Sequence, residues 1–365
     1  MAETTARPGL TPQIWDDEYF MEYVRENRFR RFMGTSEGAI FRTKEDLSRK
    51  PGDRVTFAAV RTIGGGVRGN TVLEGNEAEL DMRSMTVGVI PRRNAVLVTE
   101  WDEQKSAIDI RQAARGALKQ WSLDSMRDDI IYALKSLPNA AGIMVAYESA
   151  TEAEKDAFLA ANADRILFGA LNSNNSGNDW SASLANIDNT ADKLTPQLIS
   201  LAKRKAQTAE PHIRPTRTRE DQEWFVMFAN ALSFRDLQNA PEMTQANRDA
   251  RERSVTTNPL FTGGDLVWDG VIIREVPEIG VITGAGAGGI DVGFNFLCGA
   301  GAIGAAWAQR TRSTTDVRDY GFRHGVGIQE IRGIEKLMFG TGPDDRQTLV
   351  QNGVVTVITA AVADA

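Results

Sequence analysis

The stretch "PGDRVTFAAVRTIGGGVRGNTVLEGNEAELDMRSMTVGVI", residues 51–90, decides the fold. From Arg54 to Ile63 the residues alternate as a strand does, with Val55, Phe57 and Ala59 set against Thr56, Ala58 and Val60. Met82 to Ile90 repeats the pattern. A Gly-rich, acidic segment separates the two runs, and together they predict an extended β-hairpin. A ten-residue strand reaches ~33 Å, and an isolated two-stranded hairpin is marginal in water. Such a hairpin needs a surface to lie on, and another subunit is one candidate.

The next segment supplies a scaffold. From Asp102 to Leu137 there is no proline and a single glycine, Gly116, while Ala107, Ile110, Ala114, Leu118, Trp121, Met126, Ile130 and Leu134 recur at helical spacing. If continuous, this is a spine helix of ~54 Å, stopped by Pro138. Upstream, Ile14–Met33 is a helix candidate with Gly34 as its C-terminal cap. Downstream, helices are expected over Thr151–Asp164 and Gln197–Gln207. Strands are expected within "EWFVMFA", "GGDLVWDGVIIREV" and Val354–Thr359. Strands and helices do not alternate through the first half as a doubly wound fold requires.

Composition narrows the function. The chain has 365 residues, enough for two or three domains, with 42% hydrophobic residues and a formal net charge of −7. That balance argues against nucleic-acid binding by the whole surface. One cysteine, Cys298, excludes an intrachain disulfide. Two histidines, His212 and His324, make a zinc site a poor fit. No signal peptide or membrane-length apolar run is evident. "GTSEG", residues 34–38, matches a nucleophile-elbow pattern but lacks the strand before it and the helix after it.

"FNFLCGAGAIGAAWAQR", residues 294–310, carries Gly299, Gly301 and Gly304 in G-x-G-x-x-G spacing between an apolar run and an Ala-rich stretch. As a dinucleotide fingerprint it would make the protein a nicotinamide-dependent oxidoreductase. The βαβ setting is missing, though, and too few residues follow for a doubly wound domain. The other reading is a close-packing seam on a helix nearly free of side chains.

Charges cluster. Arg28, Arg30 and Arg31 lie in a basic N-terminal block, and Lys203, Arg204, Lys205, Arg214, Arg217 and Arg219 form a second. The hairpin tip is the reverse, with Glu74, Glu77, Glu79 and Asp81. Solvated surface, complementary patches between copies and a one-sided nucleic-acid face all remain open.

The order of these pieces resembles the major capsid proteins of tailed phages with the Hong Kong 97-type fold, and more narrowly the N-four-type podovirus coat family. The match is carried by the hairpin segment, "FVMFANALSFRDL", "FTGGDLVWDGVIIREVPEI", "FNFLCGAGAIGAAWA" and "NGVVTVITAA". The resemblance implies an α+β fold divided into five parts. These are an N-terminal arm (1–49), an E-loop hairpin (50–100) and a peripheral domain with the spine helix (101–140). An axial domain (141–310) and a return to the peripheral domain with the C-terminal strand (311–365) complete it.

It further implies a non-enzymatic shell protein without cofactor or metal, made in the host cytoplasm and residing in the virion. Its partners would be pentamers and hexamers of itself, a separate scaffolding protein, a portal, DNA on the inner face and, optionally, a decoration protein, with no membrane. Arg61, Gly64, Gly65, Gly66, Arg68 and the four tip acids become the intersubunit candidates of the E-loop. Two departures stand out. "FANAL" replaces a segment that often carries proline in this family. No lysine lies between Lys50 and Lys105, so a lysine-based covalent lock from the E-loop is not expected.

Overall fold

The computed structural model describes residues 29–45, 47, 52–60, 65–70, 72–78, 80–105, 110–217, 222–250, 265–340 and 348–364. In chain order the strands are β1 (Met33–Gly34), β2 (Phe41–Lys44), β3 (Arg54–Val60), β4 (Met82–Gly88) and β5 (Ile90–Thr99). Then come helices α1 (Glu100–Lys105) and α2 (Ile110–Lys135), and the short pair β6 (Leu137–Pro138) and β7 (Met144–Val145). Helix α3 (Glu152–Ala161), strand β8 (Ile166–Phe168) and helices α4 (Trp180–Ala185) and α5 (Pro196–Thr208) follow. Strands β9 (Thr216–Arg217) and β10 (Glu223–Ala229) lead to α6 (Ala231–Asn239) and α7 (Pro241–Ala250). The chain ends with β11 (Leu266–Trp268), β12 (Val271–Glu275), β13 (Val281–Ile282), β14 (Val292–Cys298), β15 (Ile303–Arg318), β16 (Arg323–Lys336), β17 (Met338–Gly340), β18 (Leu349–Gln351) and β19 (Val354–Ala360).

Two sheets organise the molecule. The first runs β1-β2-β15-β16-β5, and α2 packs along it through Leu118, Met126, Ile130 and Leu134. The second has the order β11-β12-β10-β14-β19-β8, with β13 beside β14 and β9 beside β10. Every residue of β14 and β19 is buried, as expected of central strands covered on both faces. The helix starts obey local chemistry. Thr151 and Glu154 close a capping box on α3, and Thr195 caps α5 with Pro196 in its first turn. At the "FANAL" departure, Asn230 caps α6 by accepting from the N–H of Leu232. Its side chain thus sets the turn without a proline.

Several expectations change. The Ala-rich stretch after Gly304 is not a helix but the start of the 16-residue strand β15. It pairs with β2 on one side and β16 on the other, and that pairing overrides the alanines' helix preference. Of the expected helix Ile14–Met33, residues 14–28 lie outside the described residues. Arg30–Phe32 is one 3₁₀ turn and Met33 pairs with Phe41, so Gly34 is a strand residue rather than a cap. The spine helix spans ~39 Å; residues 106–109, which separate it from α1, lie outside the described set.

Two strands show how the sheets share the chain. β5 belongs to the five-stranded sheet through its ladder with β16, so the hairpin ends at Gly88. The C-terminal strand β19 lies between β14 and β8 in the other sheet.

Candidate assembly surfaces

The hairpin is half docked and half free. In the β3–β4 register Val55 faces Val87 and Phe57 faces Met85. Val55, Phe57 and Val87 are buried against Ala306, Leu337 and Phe339 of the same chain. Lys44 ties the strand down, its Nζ donating to the Thr56 carbonyl at 2.7 Å and lying over the Phe57 ring. Close approach needs missing side chains beneath. A Cβ on Gly304 would meet the Phe57 ring at 3.1 Å, and one on Gly333 would sit 1.9 Å from the Gly88 carbonyl oxygen. The base of the hairpin therefore lies on its own subunit.

Between Val60 and Met82 most of the hairpin's described residues are exposed. Val60, Val72, Leu73, Leu80 and Met82 are exposed, Val72 at 66% and Leu73 at 57%. Gly65 and Gly66, both at φ +94°, and Arg68 belong to this outer segment. The tip acids do not act alike. Asp81 accepts from Arg83 Nη2 at 2.7 Å, and Glu77 accepts from the Gly75 N–H and closes its own turn. Glu74 is exposed. Arg61, Gly64 and Glu79 lie outside the described residues.

The structure scatters the basic candidates. Lys203 Nζ donates to Asp269 Oδ1 at 2.9 Å and to its carbonyl. Arg214 faces Glu37 at 3.2 Å, and Arg31 lies 3.7 Å from Asp265. Arg204 is exposed and Lys205 half-buried on α5. Arg30 lies in the 3₁₀ turn and Arg217 in β9; Arg28 and Arg219 lie outside the described residues. The residues at 203–217 are spread over a helix, a loop and a strand, and two of their charges are satisfied within the chain.

The glycine motif sits in a tight crossing between β14 and β15, strand to strand. A Cβ on Gly299 would lie 2.5 Å from the Arg214 carbonyl oxygen, and Gly301 has φ +67° with Asn352 Nδ2 at 3.0 Å. No helix N-terminus follows the glycines, so the feature that would hold a pyrophosphate is absent at this turn.

Sequence reading missed two features. The β15–β16 ribbon begins buried at Ile303–Trp307 and ends exposed at Thr314–Arg318. Its turn holds Asp319, Tyr320 and Gly321 at φ +56°, +54° and +101°, and Tyr320 is fully exposed. Val317, Phe322, Leu97 and Trp101 are exposed near this end. Two successive non-glycine residues in left-handed conformation mark strain, which gathers at functional positions; no motif in the sequence signals it.

The second is an ionic clamp between α2 and the sheet. Arg332 Nη2 donates to Asp129 Oδ2 and to Ser125 Oγ, both at 2.9 Å, and Arg332 also pairs with Glu330. Arg92 holds the other Asp129 oxygen at 2.8 Å, and Thr311 donates to Glu330 at 2.7 Å. Burial pushes the Glu330 carboxyl above its ordinary pKa, opposed by Arg332 and Thr311.

The only group of three or more possible metal-ligating side chains among the described residues is Glu152, Asp156 and Asp179. Their oxygens accept from the N–H groups of Ser181, Trp180 and Ala182 at the start of α4. They cap that helix. Among the described residues no helix is long and apolar enough to cross a membrane.

The sequence model of the phage capsid protein family matches residues 4–363. The major capsid protein of Pseudomonas phage KPP25 is 25% identical over 358 residues, covering 95% of this chain and 94% of that one. The capsid asymmetric unit of cyanophage Pam1 aligns over 100% of both chains, with 36% identity and a TM-score of 0.83. The capsid of Ralstonia phage GP4 shares the fold, with a TM-score of 0.71 at 22% identity over 93% of this chain and 92% of that one.

Proposed function

The chain belongs to the phage capsid protein family and is a major capsid protein of the Hong Kong 97-type fold that forms the virion shell; from that premise we propose that the free outer end of the hairpin is what joins one copy to the next. The carrying observation is the contrast within one hairpin. Its base is buried on its own subunit, and its tip presents Val60, Val72, Leu73, Leu80 and Met82 to solvent. Exposed apolar residues gathered on a projecting element mark a contact surface. The exposed acid Glu74 fits the rim of that contact, where charge selects partner and orientation.

Rings of five and six such copies, closed into an icosahedron, would satisfy every tip. The ribbon end at Tyr320 is a second contact between copies. The shell does its work without catalysis; it encloses DNA and takes a separate scaffolding protein and a portal as partners, after synthesis in the host cytoplasm. The glycines at 299, 301 and 304 serve close packing.

The test is the double variant Val72→Asp and Leu73→Asp, assembled in parallel with wild type and examined by electron microscopy. The expected result is a folded subunit with unchanged circular dichroism and no closed shells. Normal shells from this variant would sink the proposal.

A further inference from the structure

A lysine is buried where the two sheets meet. Lys336 ends β16 opposite Ile303 and is 1% exposed. Its Nζ donates to the Leu134 carbonyl, in the last turn of α2, at 3.2 Å, and lies 5.0 Å from the centre of the Phe158 ring on α3. Cys298, at the end of β14 in the other sheet, is its third neighbour. Among the described residues no carboxylate pairs with it.

The charges on the surrounding elements are engaged elsewhere. Lys135 of α2 lies over the Phe294 ring and 3.9 Å from Glu148. Asp129 of α2 is held by Arg92 and Arg332. Lys155 of α3 lies over Tyr147 and 3.8 Å from Glu152. Glu335, the adjacent residue on β16, takes a hydrogen bond from the Gly88 backbone on the hairpin side. Burial pushes the Cys298 thiol up, so it is neutral and offers no counter-charge.

A second polar group marks the same junction. The Gln351 side chain is fully buried, and neither its amide nitrogen nor its oxygen has a hydrogen-bond partner. Its backbone N–H donates to Asn162 Oδ1, and Asn162 Nδ2 donates to the Phe158 carbonyl. A lysine with no carboxylate partner among the described residues and an unsatisfied amide therefore mark the same junction, Gln351 lying opposite Met338, two residues beyond Lys336. Burying a charge without a partner costs far more than burying a neutral amine.

We infer that Lys336 is a proton-operated latch, neutral when the junction between the two sheets is closed and loosening that junction when it takes up a proton. Burial holds its pKa at about 7, against the ordinary 10.5. The unfolded chain then binds the proton more tightly than the folded one. Stability from this group is fully present above the ordinary lysine pKa and falls as pH drops towards about 7; below that both states are protonated and the loss is complete. The latch belongs to the subunit itself and is independent of which surfaces join the copies.

Cys298 is the single cysteine of the chain and sits in the latch, so its labelling reports opening. The probe is 4,4′-dithiodipyridine on the full-length subunit, with rates at each pH divided by those of the urea-unfolded chain. Between pH 9 and pH 7.5 the normalised rate should rise by about tenfold per pH unit at most and by several-fold at least. In Lys336→Met it should be flat across that range and lower at its acid end. A flat wild-type profile, or the same slope in Lys336→Met, would overturn the latch. If Lys336→Met does not fold, the wild-type profile decides the matter alone.

Discussion

The base and the tip of the hairpin both carry apolar residues, and they have opposite fates. At the base, Val55, Phe57 and Val87 fill a pocket made of Ala306, Leu337 and Phe339. At the tip, Val72 and Leu73 are as apolar but exposed among the described residues. The difference lies beneath the strands. Gly304 and Gly333 leave room for the base to approach within backbone contact, whereas the described apolar residues of the tip are exposed. An apolar residue with a floor is core; the exposed ones at the tip are those proposed to meet another copy.

Gly333→Leu should break the contrast most severely. A Cβ there meets the Gly88 carbonyl at 1.9 Å, so the hairpin base must lift. Insoluble or unfolded subunit by circular dichroism is expected, and a soluble variant with native melting would show that the base is not held here. Phe57→Ala keeps the backbone and removes the ring that fills the Gly304 floor. It should cost ~3–5 kcal/mol in chemical denaturation. A loss below about 1 kcal/mol would mean that the pocket collapses freely.

At the tip the ordering inverts. The Val72→Asp and Leu73→Asp pair should change subunit stability by no more than about 0.5 kcal/mol while abolishing shells. Glu74→Lys should be milder still, leaving stability unchanged and slowing assembly in a salt-dependent way. Equal assembly rates in low and high salt would remove Glu74 from the contact.

Much of the fold was legible in local chemistry. The alternation at Val55–Val60 and Met82–Gly88, the helical spacing from Ile110 to Leu134, and the caps at Thr151 and Thr195 each carry their signal within a few residues. The candidate site was only partly legible. The acids of the tip were visible as a cluster, but Asp81 turns back to Arg83 and Glu77 to Gly75, which spacing cannot reveal. Lys203 and Arg214 looked like one basic block and are satisfied by Asp269 and Glu37, 66 and 177 positions away. Ala305 and Ala306 read as helix because nothing nearby in sequence announces β2 and β16 on either side.

By itself, then, the sequence determined which segments are strands and helices wherever burial period and caps agree, and it excluded an intrachain disulfide by having one cysteine. The tertiary structure alone decided that the glycines of "GAGAIG" admit a neighbouring backbone rather than a phosphate, that Lys336 is sealed between two sheets, and that the described apolar residues of the hairpin tip are exposed. The physical reason is shared. Burial and close contact depend on partners dozens to hundreds of residues away, and those partners leave no period in the local chain.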